Sequence, residues 1–177
     1  MTAEPYTVQL DAETKATLKM YLFRDVQNVN SVRKNVVNGT WSCAVIKPSL
    51  ILDPFQVAVA ANKAAVAEKL NTMVTRTVFA ELLYNLSITK NITQSLSMFG
   101  IDKNKNLLVC FIATEEKDPS SEIVPQIRGK LCLMSELKDL TNMENLKSAY
   151  QLEGLATDDD LLNVIVSRMV TKQFISY

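Results

Sequence analysis

Residues 52–70 read Leu52-Asp53-Pro54-Phe55-Gln56-Val57-Ala58-Val59-Ala60-Ala61-Asn62-Lys63-Ala64-Ala65-Val66-Ala67-Glu68-Lys69-Leu70. Asp53 before Pro54 is a strong helix start. The carboxylate caps free N–H groups, and proline fits the first turn because its missing donor is not needed there. The spacing predicts a helix from Pro54 to about Leu70. Its interior is rich in small apolar residues: Val57, Ala58, Val59, Ala60, Ala61, Ala64, Ala65 and Ala67. They lie around most of the circumference, so the helix is expected to be central and closely packed.

Upstream, Thr17 to Phe23 alternates, with Leu18, Met20 and Leu22 on one side and Lys19 on the other. That is a strand with a buried face. Gln27 to Val37 carries a helical stripe of valines that Asn38-Gly39 ends, and Trp41 to Ile46 reads as a second strand. Ser49 to Leu52 is apolar and of undecided type. Downstream, helices are predicted over Thr75–Leu86 and Asn91–Phe99, the latter capped by Asn91. Leu107 to Ala113 is a nearly unbroken apolar run, as in a central strand. Glu115 to Ser121 reads as a loop, and Glu122 to Ile127 is ambiguous around Pro125. Lys130 to Leu133 reads as a short strand. Helices follow over Ser135–Leu140, Met143–Tyr150 and Asp158 to about Gln173. The expectation is a single α/β domain over residues 1–177, a mixed sheet of about four strands packed with several helices.

Composition excludes several functions. Lys+Arg 19 balance Asp+Glu 19, so the basic excess of a protein that wraps duplex DNA is absent. There is no histidine, which removes the commonest general base and neutral metal ligand. Cys43, Cys110 and Cys132 are scattered among apolar neighbours and read as reduced core thiols of a cytosolic or nuclear protein. Gly39, Gly100, Gly129 and Gly154 are too far apart to form a phosphate-cradling loop. The first ten residues lack the features of a signal peptide, and no apolar run reaches the ~18 residues that span a bilayer.

The candidate chemical groups are few. Asp158-Asp159-Asp160 could hold a hard cation, but at a helix start it reads as a complement to the helix dipole, matched by Lys172 at the other end. Glu81 is the best-placed carboxylate for acid–base work. With no second carboxylate spaced to pair with it, a hydrolase or transferase is disfavoured against an ion-pair role. Asn62, Lys63, Lys69 and Arg76 could form a small basic patch. The last helix is more informative: its apolar residues cover an arc of roughly 240°, where packing on one core needs a stripe of only ~100° or somewhat more. Either a partner covers the excess or the helix is sandwiched between internal layers.

The string from Leu52 to Ala64 resembles the signature segment of the kinase-binding subunits of the KEOPS/EKC tRNA-modification complex. So do Lys69 with Thr75-Arg76-Thr77, then Glu81, Asn85-Leu86-Ser87, Asn91-Ile92, Phe99-Gly100-Ile101, Ser167-Arg168-Met169 and Thr171-Lys172. The resemblance implies a non-catalytic, cofactor-free regulatory subunit of the cytoplasm and nucleus. It implies binding to a small atypical protein kinase/ATPase and, through it, to the subunit that transfers threonylcarbamoyl to adenosine in tRNA. It places the last helix against the kinase, with Leu161, Leu162, Ile165, Arg168 and Met169 as contacts. It also places the tRNA acceptor end at Asn62, Lys63, Arg76 and Thr77, where Lys and Arg suit phosphate and Asn and Thr suit exposed sugar or base groups. Asp53, Pro54 and Phe55 read as a cap and core anchor. The alternative is a free-standing RNA-binding module.

Overall fold

In chain order the elements are β1 (Tyr6–Gln9), β2 (Thr17–Arg24), α1 (Val29–Val37), β3 (Ala44–Ile46), α2 (Pro54–Leu70), α3 (Val78–Leu86) and α4 (Ile92–Phe99). They continue with β4 (Leu107–Ala113), α5 (Ser120–Ile123), β5 (Lys130–Cys132), α6 (Leu137–Leu140), α7 (Met143–Tyr150) and α8 (Leu161–Thr171). This computed structural model describes residues 4–154 and 160–177.

The five strands form one sheet in the order β1-β2-β4-β3. β5 pairs with the second half of β2, beyond the stretch that β1 occupies. The α/β domain is as expected. Its sheet, however, has a fifth strand, and every pairing is antiparallel where a mixed sheet was expected. The β2–β4 pair, from Thr17↔Ala113 to Phe23↔Leu107, is the spine.

Both faces of that spine are buried, so β4 needs apolar side chains at nearly every position. Leu18, Met20, Leu22, Leu108 and Cys110 face the larger helical layer, where α2, α3 and α8 pack on one another. Phe23, Val109 and Phe111 face the smaller one, with Val29 and Val32 of α1, Trp41 and Ile127. The three cysteines are free and buried.

α2 begins as its sequence dictates. Asp53 accepts the Phe55 amide at 2.9 Å, Pro54 occupies the first turn, and Asn71 closes the helix with φ 57°. Ala60, Ala61, Ala64 and Ala65 are buried, and their small side chains let α3 approach. Phe55 corrects the expected core anchor. It lies 54% exposed, because its place on the first turn points it away from the sheet. The anchor is Gln56, whose Nε2 donates to Tyr150 Oη at 2.8 Å and to the Leu50 carbonyl. At the end of α4 the chain turns sharply: a Cβ on Gly100 would lie 2.5 Å from the Leu96 carbonyl oxygen. Asp158 and Asp159 lie outside the described residues, and Asp160 caps α8 without a side-chain hydrogen bond.

Candidate functional site

α8 presents two apolar faces. Leu161, Ile165 and Met169 fall one turn apart and are buried at 2% exposure or less. They pack on the same core as α2, α3 and α7. These three expected partner contacts are therefore corrected: burial by the chain itself leaves them no surface to offer. Arg168 is also occupied at home. Its guanidinium donates to the carbonyls of Tyr150 and Gln151 at the end of α7, where free carbonyls attract a cation, and it lies over the Tyr177 ring.

The second face comprises Leu162, Val166 and Val170, spaced by four, and Phe174 follows in the turn after the helix. Leu162 and Val166 are half-buried, Val170 is 41% exposed and Phe174 83% exposed, with Ile175 beside it also exposed. Of the five expected contacts, Leu162 alone belongs to this strip. The surplus apolar arc thus has both explanations: one side is core, the other is open.

Between α8 and α3 lies a buried polar cluster. Lys172 is fully buried, and its ammonium donates to the Tyr84 carbonyl, to Ser87 Oγ at 3.3 Å and to the Thr89 carbonyl at 3.2 Å. It sits 3.4 Å from the Tyr84 ring centroid. Three donors meet three acceptors, so Lys172 ties the last helix to the α3–α4 turn rather than serving its own helix end. Burial, reinforced by the like charge of Lys63, pulls its pKa down to about 7, while Glu81 opposes that shift.

Glu81 is buried too. Its carboxylate accepts the Val74 and Thr75 amides at 3.0 and 2.8 Å and the Thr75 hydroxyl at 2.5 Å. A carboxylate so engaged is a clamp on the loop that carries Arg76 and Thr77. Lys63 is the odd member: its Nζ is buried and meets no hydrogen-bond partner. Burial lowers its pKa, and Glu81 acts the other way.

The expected RNA-binding quartet is split between two concavities. Arg76 and Thr77 lie at a cleft of about 980 Å³ where α3 and the end of α2 meet segment 41–45 and Ile112. Trp41, Phe79 and Leu83 give it an apolar wall, and Lys15, Lys69 and Lys117 also line it. Arg76 is exposed, and Thr77 caps α3 by accepting the Ala80 amide at 3.1 Å. Asn62 and Lys63 instead line a groove of about 680 Å³ between α2, β1 and α8. Asn62 Oδ1 accepts the Asp11 amide at 2.7 Å. As placed, the buried ammonium of Lys63 does not reach a surface phosphate. The two pairs are not one patch: Asn62 and Lys63 lie on α2, whereas Arg76 and Thr77 lie on the loop that leads into α3. Among the described residues no group of His, Cys, Asp and Glu could hold a metal, and no helix is long and apolar enough to cross a membrane.

The family model described as "Kinase binding protein CGI-121" matches residues 23–173. The chain belongs to the CGI-121 family. It is similar to the EKC/KEOPS complex subunit TPRKB of Danio rerio, 31% identical over 169 residues covering 94% of this chain and 97% of the relative. It is also similar to the EKC/KEOPS complex subunit cgi121 of Aspergillus fumigatus, 27% identical over 78% of each chain. The CGI121 subunit of Yarrowia lipolytica is 25% identical over 80% of this chain and 83% of the relative. Val166 and Val170 belong to the apolar arc that the sequence shows on the last helix, and Phe174 lies beyond that arc. Their spacing by four from Leu162 was the available signal for the outer strip.

Proposed function

We propose that the chain is an accessory subunit of a KEOPS/EKC-type complex. It binds the small kinase/ATPase subunit and makes no bond itself. The observation that carries this reading is the outer strip Leu162-Val166-Val170 of α8, continued by Phe174 after the helix, an apolar surface that the described residues leave partly uncovered. A helix face with anchors at four-residue spacing suits docking to a second protein. Through the kinase the subunit is joined to the threonylcarbamoyl transferase, in the cytoplasm and the nucleus.

We place the contact with the acceptor end of tRNA at the cleft of Arg76 and Thr77. Lys15, Lys69 and Lys117 add positive charge there beside Glu13 and Glu68, and the half-buried Phe79 supplies aromatic surface for an unpaired base. A net charge of zero means that the partners contribute much of the tRNA affinity.

The test is reconstitution from purified chains. Co-elution with the recombinant kinase subunit on size exclusion supports the reading, and separate elution at micromolar concentration overturns it. In the reconstituted complex Arg76→Glu is expected to weaken tRNA binding and flatten its salt dependence. Strong tRNA binding by the lone chain would favour a free-standing RNA-binding module instead.

A further inference from the structure

The groove beside β1 has three properties that point to one kind of occupant. First, it borders an unpaired sheet edge. The Leu10 amide donates to the Ala16 carbonyl at 3.1 Å, and the register continues through Val8↔Leu18 and Tyr6↔Met20. In an antiparallel ladder the alternate residues, Thr7 and Gln9, then turn their main-chain N–H and C=O away from β2. Among the described residues nothing bonds those groups, and the next outward amide, Asp11, is already taken by Asn62. The edge is thus open over a short, defined length.

Second, the groove is apolar. Val8 of β1 and Leu10 just after it line the groove, with Phe55 and Val59 from α2 and Val170 from α8. A strand added beside β1 would point every second side chain into this space, because alternate residues of neighbouring strands share a face.

Third, the stem of Lys63 lines the groove, while its ammonium is tucked inward without a hydrogen-bond partner, near the like charge of Lys172 and the opposite charge of Glu81, which is already engaged by the Val74 and Thr75 amides. An unpartnered buried cation is unfavourable. Its flexible four-carbon stem lets it turn toward the groove if an anion waits there.

From the open edge, the apolar floor and the unpartnered Lys63, we infer that this groove receives an extended segment of the kinase subunit. The segment adds a strand to β1, seats apolar side chains against Val8, Phe55 and Val170, and offers an Asp or Glu carboxylate to Lys63. The inference rests on the kinase-docking reading and extends it: Val170 belongs both to the groove and to the outer strip of α8, so one partner can cover both. Main-chain pairing supplies affinity, and the groove and the carboxylate supply specificity.

The experiment titrates the purified kinase subunit into four versions of the full chain and follows affinity by calorimetry. Thr7→Pro removes one outward N–H and leaves the ladder to β2 intact, since Thr7 does not bond across it. Lys63→Met removes the charge and keeps the stem. Each is expected to weaken binding about tenfold with its melting temperature held. The salt dependence of wild-type binding should be shallower in Lys63→Met. The fourth version, Val166→Glu/Phe174→Glu, reports on the outer strip of α8. If it abolishes binding while Thr7→Pro and Lys63→Met bind as wild type, the groove inference is overturned and the docking reading stands. If the wild-type chain does not bind at all, both are overturned.

Discussion

Lys172 and Lys63 are two lysines drawn into the same helical layer, and the protein treats them differently. Lys172 meets three acceptors and an aromatic face; Lys63, on the neighbouring helix, meets none. Both have lowered pKa values for the same first reason, burial. The difference teaches that burial alone does not tell what a charge is for. A satisfied buried lysine joins elements of the fold. An unsatisfied one, with its stem at a groove, is a group the fold has left for something else.

Four measurements sharpen or break this contrast. The largest effect is expected from Lys172→Met, which removes the three hydrogen bonds that hold α8 to the α3–α4 turn and leaves the Tyr84 and Thr89 carbonyls with Ser87 as their donor. A loss of about 2 kcal/mol, read by urea unfolding, fits the loss of hydrogen bonds from a charged group. An unchanged midpoint would mean that the tie is not structural. Glu81→Gln should cost about 1 kcal/mol through the Thr75 and Val74 amides, and should loosen the loop bearing Arg76 and Thr77. Faster amide exchange at Val74 and Thr75 is the signature to look for.

The third is a pH profile. Lys172 titrates near 10.5 when unfolded and at about 7 when folded. Between those values the unfolded chain binds more protons, so stability rises with pH from about 7 upward. Lys63 contributes in the same direction, and Glu81 opposes both shifts. Tyr84, also facing Lys172, has its pKa raised by burial and by Glu81, and Cys43 is pushed up to about 12 by burial. Those two remain protonated longer in the folded state and lower the curve only above pH 9. The rise between pH 7 and 8.5 should shrink in Lys172→Met, leaving the part that Lys63 contributes. The smallest effect belongs to Lys63→Met: a melting temperature equal to wild type or slightly higher, because an unpartnered ammonium has been removed. A clear drop would show that Lys63 has a partner after all.

Much of the fold was legible in the sequence for local reasons. Asp53-Pro54 and Leu107–Ala113 carry their own start signals and apolar patterns, and the structure keeps those bounds. β1 was missed although Tyr6, Val8 and Leu10 alternate, because four residues of strand carry little signal without the partner they pair with. The site was less legible. Periodicity revealed that α8 has too much apolar surface, but not which stripe meets the core, since that is fixed by α2 and α3. Phe55 reads as a core anchor beside the Asp53-Pro54 cap, whereas the first turn of α2 leaves it exposed. The roles of Lys172 and Glu81 depend on carbonyls and amides of other elements, which side-chain identity does not encode.

The most direct test is the dissociation constant between the purified kinase subunit and two variants of the chain, each checked for an unchanged fold. Val166→Glu/Phe174→Glu, on the open stripe of α8, should weaken binding about a hundredfold or more. Ile165→Val, inside the chain's own core, should leave it as in wild type. Equal affinity for wild type and the Val166→Glu/Phe174→Glu variant would contradict the claim that this stripe is where the partner sits.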